Sequence, residues 1–361
     1  MDWNTFFIKE LEQLKAYQPG LRVEQVKQQA AVDEVYKLSS NESPYPPFAS
    51  AIAAMQGELE GLNQYPDGAS TELREALAAR YGVDFNQVTV ASGSNSLLMD
   101  LATSCLHPGN NVVYCWPSFV VYRMSAQLTG AEYRELPLRA DGVFDLDAIL
   151  AAIDADTKIV YLCSPNNPTG GAITKPEFAA FLDKLPEQVL LVIDQAYQEF
   201  ATDPAALDAM DFFDDARPLV VLRTFSKMYA MAGARVGYGI APAPVIEAVD
   251  KIRTPFNVNS VAQAGALAAL GDGEELERRR ADNARGRQQL LDCFARLGLK
   301  TYPSEANFVW VFLDDAQAVF DKLLTHGIIV RNFAADGGLR IGVGDAAGVA
   351  ATVQTFEEMF A

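Results

Sequence analysis

Basic residues are scarce in this chain of 361 residues. It has 29 Lys and Arg against 47 Asp and Glu, which gives a net charge of −18 at pH 7. A surface of that sign repels nucleic acids and anionic membranes, so neither is expected as a partner. The sequence also lacks any run of the roughly 18 apolar residues that a membrane-spanning helix needs, and we expect a soluble protein.

Histidine and cysteine are also rare. The two histidines, His107 and His326, have no suitable neighbours for a histidine-based metal site or a Ser-His-Asp triad, so we expect no metal and interpret both as surface or helix-end residues. The four cysteines are widely spaced and form no C-x-x-C pair, which predicts reduced, mostly buried thiols in a cytoplasmic protein. They are Cys105, Cys115, Cys163 and Cys293.

The first residues, MDWNTFFIKELEQLKAY, interleave acidic with apolar side chains and lack a basic leader. They predict an amphipathic helix rather than a secretory signal.

From about Val88 onward, short apolar runs alternate with longer helical stretches. The runs are VTVAS, NVVYC, KIVYLC, VLLVID and LVVLRTF. Most are continuously apolar, as in strands that are buried on both faces, and they predict an α/β fold with a mostly parallel sheet.

After Pro255 the pattern changes. A long charged helix is predicted from about Glu274 to Leu297, and the runs NFVWVFL, GIIVR and LRIGVG with one further helix predict a smaller α+β domain. Three successive arginines, Arg278 to Arg280, follow acidic residues on the long helix and are interpreted as a solvated helix face.

Polar residues follow three of the predicted strands at the point where each strand ends. Asn167 lies in the loop SPNNPTG, Asp194 ends VLLVID, and Lys227 follows LVVLRTF. Because the carboxyl ends of parallel strands meet at one sheet edge, we expect these side chains to lie together. A buried Asp194 would need a cationic or strongly donating partner. Lys227 is either a pocket lysine with a lowered pKa, suited to nucleophilic chemistry, or a solvated lysine.

The segment VTVASGSNSLLMDLA predicts a strand, a short turn and a helix. Backbone amides at the helix start, with Gly93 allowing close approach, would bind an anion such as phosphate. An ordinary turn capped by Ser94 or Asn95 explains the same residues.

Ten motifs in a fixed order span nearly the whole chain: AYQPG, KLSSNESPYPP, QYPDG, SGSNSLL, PSFVVY, SPNNPTG, IDQAY, TFSKMYAMAGARVGY, GIIVR and GGLRIGVG. Together they resemble the fold-type I aminotransferases that use pyridoxal 5′-phosphate, most closely the histidinol-phosphate aminotransferases. The resemblance implies an N-terminal arm and part of a small domain in residues 1–40. It implies a large cofactor-binding domain in 41–255 and the C-terminal small domain in 256–361.

The resemblance also implies residue roles. Lys227 matches the lysine that binds the cofactor covalently and moves the substrate proton, and Asp194 matches the aspartate that pairs with the ring nitrogen. Other positions match cofactor contacts: Tyr197 and Asn167 at the ring oxygen, Ser226, Arg235, Ser94 and Asn95 at the phosphate, Phe119 on the ring face, and Tyr65 from a partner subunit. Positions that match substrate contacts are Arg340 for the carboxylate, Arg331 and Tyr17 for a distal phosphate, and Asn41.

Two departures from the family pattern are visible. Asn95 and Ser96 replace the usual Asp-Glu, and Gln195 stands in the motif that usually reads Asp-Glu-Ala-Tyr. We expect a cytoplasmic homodimer with shared active sites that transfers the amino group of histidinol phosphate to 2-oxoglutarate. An aromatic amino-acid aminotransferase, a threonine-phosphate decarboxylase and a non-catalytic ligand-binding protein are the alternatives.

Overall fold

The computed structural model describes residues 6–14 and 20–360. Within them the α-helices are α1 (Val23–Ala30), α2 (Ala49–Gly57), α3 (Thr71–Tyr81), α4 (Ser94–Cys105), α5 (Val121–Thr129), α6 (Leu146–Ala152), α7 (Lys175–Leu182), α8 (Ala243–Ile252), α9 (Ser260–Leu270), α10 (Gly273–Arg296), α11 (Ala316–Thr325) and α12 (Ala346–Phe360). The strands are β1 (Tyr36–Lys37), β2 (Val88–Ala91), β3 (Asn111–Trp116), β4 (Glu132–Pro137), β5 (Thr157–Cys163), β6 (Leu190–Asp194), β7 (Leu219–Thr224), β8 (Gly237–Ile240), β9 (Phe308–Phe312), β10 (Ile328–Ile329), β11 (Arg331–Phe333) and β12 (Gly338–Gly342).

A seven-stranded sheet forms the centre of the larger part, in the order β2-β8-β7-β6-β5-β3-β4. The strands from β7 to β4 run parallel, whereas β8 is antiparallel to both of its neighbours. The five predicted strands are all present, and the mostly parallel α/β architecture is confirmed. Side chains from Ile159 to Cys163 of β5 are buried without interruption, which explains the continuous apolar runs.

The C-terminal part contains a three-stranded antiparallel sheet in the order β11-β12-β9. The short strand β1 pairs in parallel with β10, so residues just before the large sheet join the C-terminal part of the chain. The predicted long helix is α10. The domain boundaries at residues 40 and 255 stay a prediction, and this strand pairing is compatible with them.

The predicted N-terminal amphipathic helix is wrong for residues 6–14. They contain a 3-10 helix, Lys9–Gln13, in place of an α-helix. A helix of this length depends on packing of its apolar face, but Phe6 and Phe7 are 64% and 61% exposed. Tyr17 lies outside the described residues.

The interpretation of Arg278 to Arg280 as a solvated face is wrong for its middle residue. Arg279 is buried, because α10 packs against the segment that precedes α2. Its Nε donates to Glu275 at 2.7 Å, and its Nη2 donates to the carbonyl of Pro46 at 2.8 Å.

The rare residues lie as predicted. His107 is exposed and His326 caps the end of α11. The four cysteines are free, and all but Cys105 are buried. In the described part of the chain, no helix is both long enough and apolar enough to cross a membrane.

Candidate active site

A cavity of about 840 Å³ lies where β5, β6 and β7 end. Most of the predicted site residues line it: Asn41, Ser94, Asn95, Phe119, Asn167, Asp194, Tyr197, Ser226, Lys227, Arg235, Arg331 and Arg340. Tyr65 does not line it; its side chain is 82% exposed, and its ring stacks on Phe256 with 4.6 Å between the centroids.

Asp194 is a buried carboxylate at the end of β6. Its Oδ2 accepts a hydrogen bond from the Tyr122 hydroxyl, and its Oδ1 accepts one from the backbone amide of Ala196, both at 3.1 Å. The predicted donating partners are therefore present, and both are neutral. Burial raises the pKa of Asp194, and within the described residues no cation forms an ion pair with it. Such a carboxylate favours a ligand that brings a positive charge or a polar hydrogen.

Lys227 follows β7 and lies half-buried in the cavity wall. Its Nζ donates to the carbonyl of Ser40 at 3.2 Å and lies 5.8 Å from the centroid of the Tyr197 ring. Burial, reinforced by the positive charge of Arg340, lowers the pKa of Lys227 to about 8. A substantial fraction of the amine is therefore neutral near pH 8, as a nucleophile requires. These features match the pocket lysine rather than the solvated one.

Tyr197 and Asn41 are brought together in the wall of the cavity. The Nδ2 of Asn41 donates to the Tyr197 hydroxyl at 2.9 Å, and the Tyr197 ring packs edge-on against Phe308 with 5.0 Å between centroids. Asn41 is fixed in turn, because Asn307 Nδ2 donates a hydrogen bond to the backbone carbonyl of Asn41 at 3.2 Å. The Tyr197 hydroxyl therefore accepts from Asn41 and keeps its own proton for another acceptor.

The two asparagines of the SPNNPTG loop have different surroundings. Asn166 is fully buried and ties the loop down: it accepts from Ser118 Oγ at 2.8 Å and donates to Thr169 Oγ1 at 2.9 Å. Asn167 lines the cavity, and its Oδ1 accepts from Nη1 of Arg340. The adjacent pair thus combines a loop anchor with a cavity residue.

The start of α4 forms the other end of the cavity. The residue before the helix is Gly93, with φ of +86° and no side-chain cap, so the structure does not contain the alternative turn capped by Ser94 or Asn95. A Cβ at Gly93 would lie 2.6 Å from Nη2 of Arg235, and a Cβ at Gly237 would lie 2.5 Å from the amide nitrogen of Ser94. Glycine at both positions lets Arg235 and the uncapped amides approach one another. This arrangement of amides and a guanidinium group is suited to an anion.

Two arginines lie directly opposite each other on neighbouring strands. Arg331 of β11 pairs in register with Arg340 of β12, and both line the cavity. Arg340 is buried, and its Nη2 donates to the carbonyl of Ser39 at 2.5 Å. Within the described residues, Arg331 forms no ion pair or side-chain hydrogen bond. Its positive charge is therefore available to a ligand.

The charge of the cavity is opposite to that of the chain. Its lining includes two carboxylates, Glu42 and Asp194, and five cationic side chains. The cations are Arg123, Lys227, Arg235, Arg331 and Arg340. In a chain with net charge −18, this concentration of cations favours small anionic ligands over a polyanion.

Sequence reasoning missed several contacts in this site. The carbonyls of Ser39 and Ser40 accept from Arg340 and Lys227, and a backbone acceptor has no signature in the side-chain sequence. Tyr122, which donates to Asp194, was also missed. Tyr122 lies at the start of α5, three residues after Phe119, and that short spacing could have indicated that the two rings lie together.

Comparisons with known proteins identify the family of the chain. The model of the aminotransferase class I and II family matches residues 33–356. The histidinol-phosphate aminotransferase of Bacillus licheniformis is 42% identical over 93% of this chain and 94% of its own length. That of Akkermansia muciniphila is 38% identical over 99% of this chain and its full length. The crystal structure of the Sinorhizobium meliloti histidinol-phosphate aminotransferase in complex with pyridoxal 5′-phosphate has a TM-score of 0.89 at 28% identity and covers 98% of both chains.

Proposed function

The chain belongs to the aminotransferase class I and II family, and on that premise we propose that it is the pyridoxal-phosphate-dependent aminotransferase of histidinol phosphate in histidine biosynthesis. It transfers the amino group to 2-oxoglutarate, which gives imidazole acetol phosphate and glutamate. The observation that carries the substrate assignment is the pair of opposed arginines, of which Arg331 has no acidic partner among the described residues.

The side chains of the cavity fit pyridoxal 5′-phosphate. Asp194, a buried carboxylate held by neutral donors, suits a protonated ring nitrogen. The close approach that Gly93 permits leaves the α4 amides and Arg235 for the phosphate, with Ser226 on the same wall. Phe119 would lie against the ring. When bound, this cofactor supplies an electron-accepting ring that stabilises negative charge on the substrate Cα.

Lys227 would be both the attachment point and the base. Its neutral amine is the nucleophile for the cofactor aldehyde, and once released it would take the proton from the substrate Cα. The lowered pKa of about 8 keeps part of the amine unprotonated for both tasks. The Tyr197 hydroxyl, oriented by Asn41, would donate to the ring oxygen, and Asn167 would act from the loop beside it.

The two opposed arginines explain the choice of substrate. Histidinol phosphate has a phosphate ester where an amino acid has its carboxylate, so the anion beside its Cα carries up to two negative charges rather than one. Arg340, which would bind the carboxylate of glutamate, would hold that anion in a bidentate geometry, and Arg331 would supply the second positive charge. The carboxylate of phenylalanine carries a single negative charge and does not require this second cation. Tyr17 is a further predicted phosphate contact, outside the described residues.

We also propose that the enzyme is a cytoplasmic homodimer. Tyr65 is 82% exposed and stacks on the half-exposed Phe256, and Leu62, three residues before Tyr65 in the chain, is 56% exposed. Large exposed apolar side chains of this kind are typical of an interface, and burial of this patch against a second copy would allow Tyr65 to reach the partner's cofactor phosphate. The four free cysteines agree with a reducing compartment.

Steady-state kinetics of the purified protein test the substrate assignment. With 2-oxoglutarate as acceptor, we expect a higher kcat/KM for histidinol phosphate than for phenylalanine. A preference for phenylalanine would replace the proposal with an aromatic aminotransferase. Release of carbon dioxide without consumption of the keto acid would indicate a decarboxylase instead.

A further inference from the structure

Tyr122 is a buried side chain in contact with the site, and the function proposed above does not use it. Its hydroxyl donates to Asp194 Oδ2 at 3.1 Å. The backbone amide of Ala196 donates to Oδ1 at the same distance. Among the described residues, each carboxylate oxygen therefore accepts one hydrogen bond from the protein. Oδ1 accepts from a backbone amide, and Oδ2 accepts from the side chain of Tyr122.

The position of the Tyr122 hydroxyl is fixed by packing. The side chain is 0% exposed, and its ring stacks on that of Tyr161 with 4.7 Å between centroids and 10° between planes. The ring of Phe119 packs against it edge-on at 5.9 Å. Burial raises the pKa of Tyr122 well above its ordinary value, so its hydroxyl keeps its proton and remains a donor. A rigid neutral donor thus points at the carboxylate that faces the cofactor.

We propose that Tyr122 is a positioning residue that keeps Asp194 ionised and aligned for the ring nitrogen of the cofactor. The inference rests on the proposed function, because it assumes that pyridoxal 5′-phosphate binds in this cavity. Its physical basis is the difference between the two forms of the carboxyl group. An ionised Asp194 accepts a hydrogen bond from the Tyr122 hydroxyl and attracts a protonated ring nitrogen. A protonated Asp194 is stabilised little by either contact.

The Tyr122 hydroxyl should have a measurable effect on the ionisation of Asp194, as the other titratable groups around this carboxylate show. They are Cys163 of β5, Tyr197 after β6, Lys227 after β7 and Tyr122 itself. Burial raises the pKa of Cys163 and of Tyr197, so both stay neutral. Burial raises the pKa of Asp194, and the Ala196 amide, the Tyr122 hydroxyl and the charge of Lys227 act in the opposite direction. Removal of the hydroxyl should therefore let Asp194 hold its proton to higher pH.

The test compares Tyr122→Phe with Tyr161→Phe. Both variants remove one buried hydroxyl from the same pair of stacked rings, but the Tyr161 hydroxyl pairs with Ser125 at 3.1 Å and not with Asp194. The affinity of the cofactor-free protein for pyridoxal 5′-phosphate is measured by quenching of protein fluorescence over the pH range in which each variant is folded. The ionisation of free pyridoxal 5′-phosphate is the same in every sample. A difference between the pH profiles of two variants therefore reflects a difference in the ionisation of the protein.

For Tyr122→Phe we expect about tenfold weaker cofactor binding, and the pH below which binding weakens should move upward by about one unit. The control variant should stay within about twofold of wild type at every pH, because its hydroxyl does not contact the carboxylate. Wild-type affinity and an unshifted profile in Tyr122→Phe would overturn the inference. Equal losses in both variants, without a shift in pH dependence, would also overturn it, because they would show a packing role only. Failure of the wild-type protein itself to bind the cofactor would overturn the proposed function instead.

Discussion

Charged side chains around the ends of β6 and β7 fall into two groups with different surroundings. In the cavity, Asp194 has only neutral donors, and Arg331 has no ion-pair partner among the described residues. The second group surrounds Arg223. In β7 this arginine follows Leu222, and Leu222 pairs with Asp194 of β6. We call this second group the Arg223 cluster, and it consists of Arg223, Glu199, Asp208, Gln195 and Tyr81.

The Arg223 cluster supplies counter-charges to its central cation, although Nε of Arg223 has no hydrogen-bond partner among the described residues. Arg223 Nη2 lies 2.6 Å from Asp208 and its Nη1 lies 3.9 Å from Glu199. Nη1 donates to the Tyr81 hydroxyl at 3.1 Å, and Nη2 donates to Oε1 of Gln195 at 3.3 Å. The sequence departure at Gln195 therefore lies in this cluster and not in the cavity.

The difference separates structural charges from functional ones. A buried charge without an opposite charge costs stability, and the protein gains from it only when a ligand supplies the missing partner. The Arg223 cluster contains its counter-charges in the folded chain, so it needs no ligand. The cavity contains a buried carboxylate and an arginine that has no ion-pair partner among the described residues, so we expect the ring nitrogen and the anion of its ligands to supply the missing charges. Substitutions in the two groups should accordingly affect different properties.

The largest expected effect is on turnover. Lys227→Ala should retain the fold and bind the cofactor non-covalently, but kcat should fall by a factor of about 10⁴ or more, because both the attachment point and the Cα base are lost. Lys251→Ala is a matched control, since that lysine is exposed and forms an ion pair with the equally exposed Glu247 at 2.8 Å. Retention of near-wild-type kcat in Lys227→Ala would place the chemistry elsewhere.

The Arg223 cluster should respond in stability instead. Arg223→Met leaves the carboxylates of Glu199 and Asp208 without their cation, and removal of one partner from a buried pair costs about 3–5 kcal/mol. Urea denaturation measures the loss in free energy of unfolding. Arg217→Met, in an exposed pair with Asp183 at 3.8 Å, should cost less than about 1 kcal/mol. A loss of turnover without a loss of stability in Arg223→Met would contradict the distinction between the two groups.

Substrate selectivity gives the next effect. Arg331→Ala should lower kcat/KM for histidinol phosphate by about 100-fold and that for phenylalanine by about threefold or less, because only the phosphate needs the second cation. Arg340→Ala should weaken both substrates. Equal losses for the two substrates in the Arg331 variant would remove the structural argument for a phosphorylated substrate.

The smallest expected effect is a gain in stability. Because burial raises the pKa of Asp194 above its value in the unfolded chain, its ionisation destabilises the cofactor-free protein as the pH rises through the folded-state pKa. Asp194→Asn should therefore stabilise that form at neutral pH, and the difference from wild type should shrink at acid pH. Thermal unfolding without cofactor at several pH values measures it. The same variant should lose most of its turnover, and a destabilised cofactor-free variant would contradict the interpretation of Asp194 as an unpaired charge.

Much of the fold could be predicted because its central strands are continuously apolar. The exceptions have physical causes. β4 has the sequence EYRELP and lies at the sheet edge, where charged side chains are tolerated, and β8 contains two glycines in four residues, which weakens any strand signal.

The site could be predicted where polar residues end buried strands, as for Asp194 and Lys227. It could not be predicted where the contacts are long-range: backbone carbonyls such as that of Ser40 and the hydrogen bond from Tyr122 to Asp194 depend on chain packing. The N-terminal helix failed for a related reason, since a sequence pattern cannot show that Phe6 and Phe7 stay more than half exposed.

The assignment of the cavity as a cofactor site is tested most directly by identifying the lysine that carries the cofactor. Purified protein is treated with borohydride, which fixes the cofactor on the amine it is bound to, and is then digested and analysed by mass spectrometry. We expect the pyridoxyl mass on the peptide that contains Lys227, and its disappearance in Lys227→Ala. Absence of an adduct in wild type, or an adduct on another lysine, would contradict the assignment of the cavity and the function derived from it.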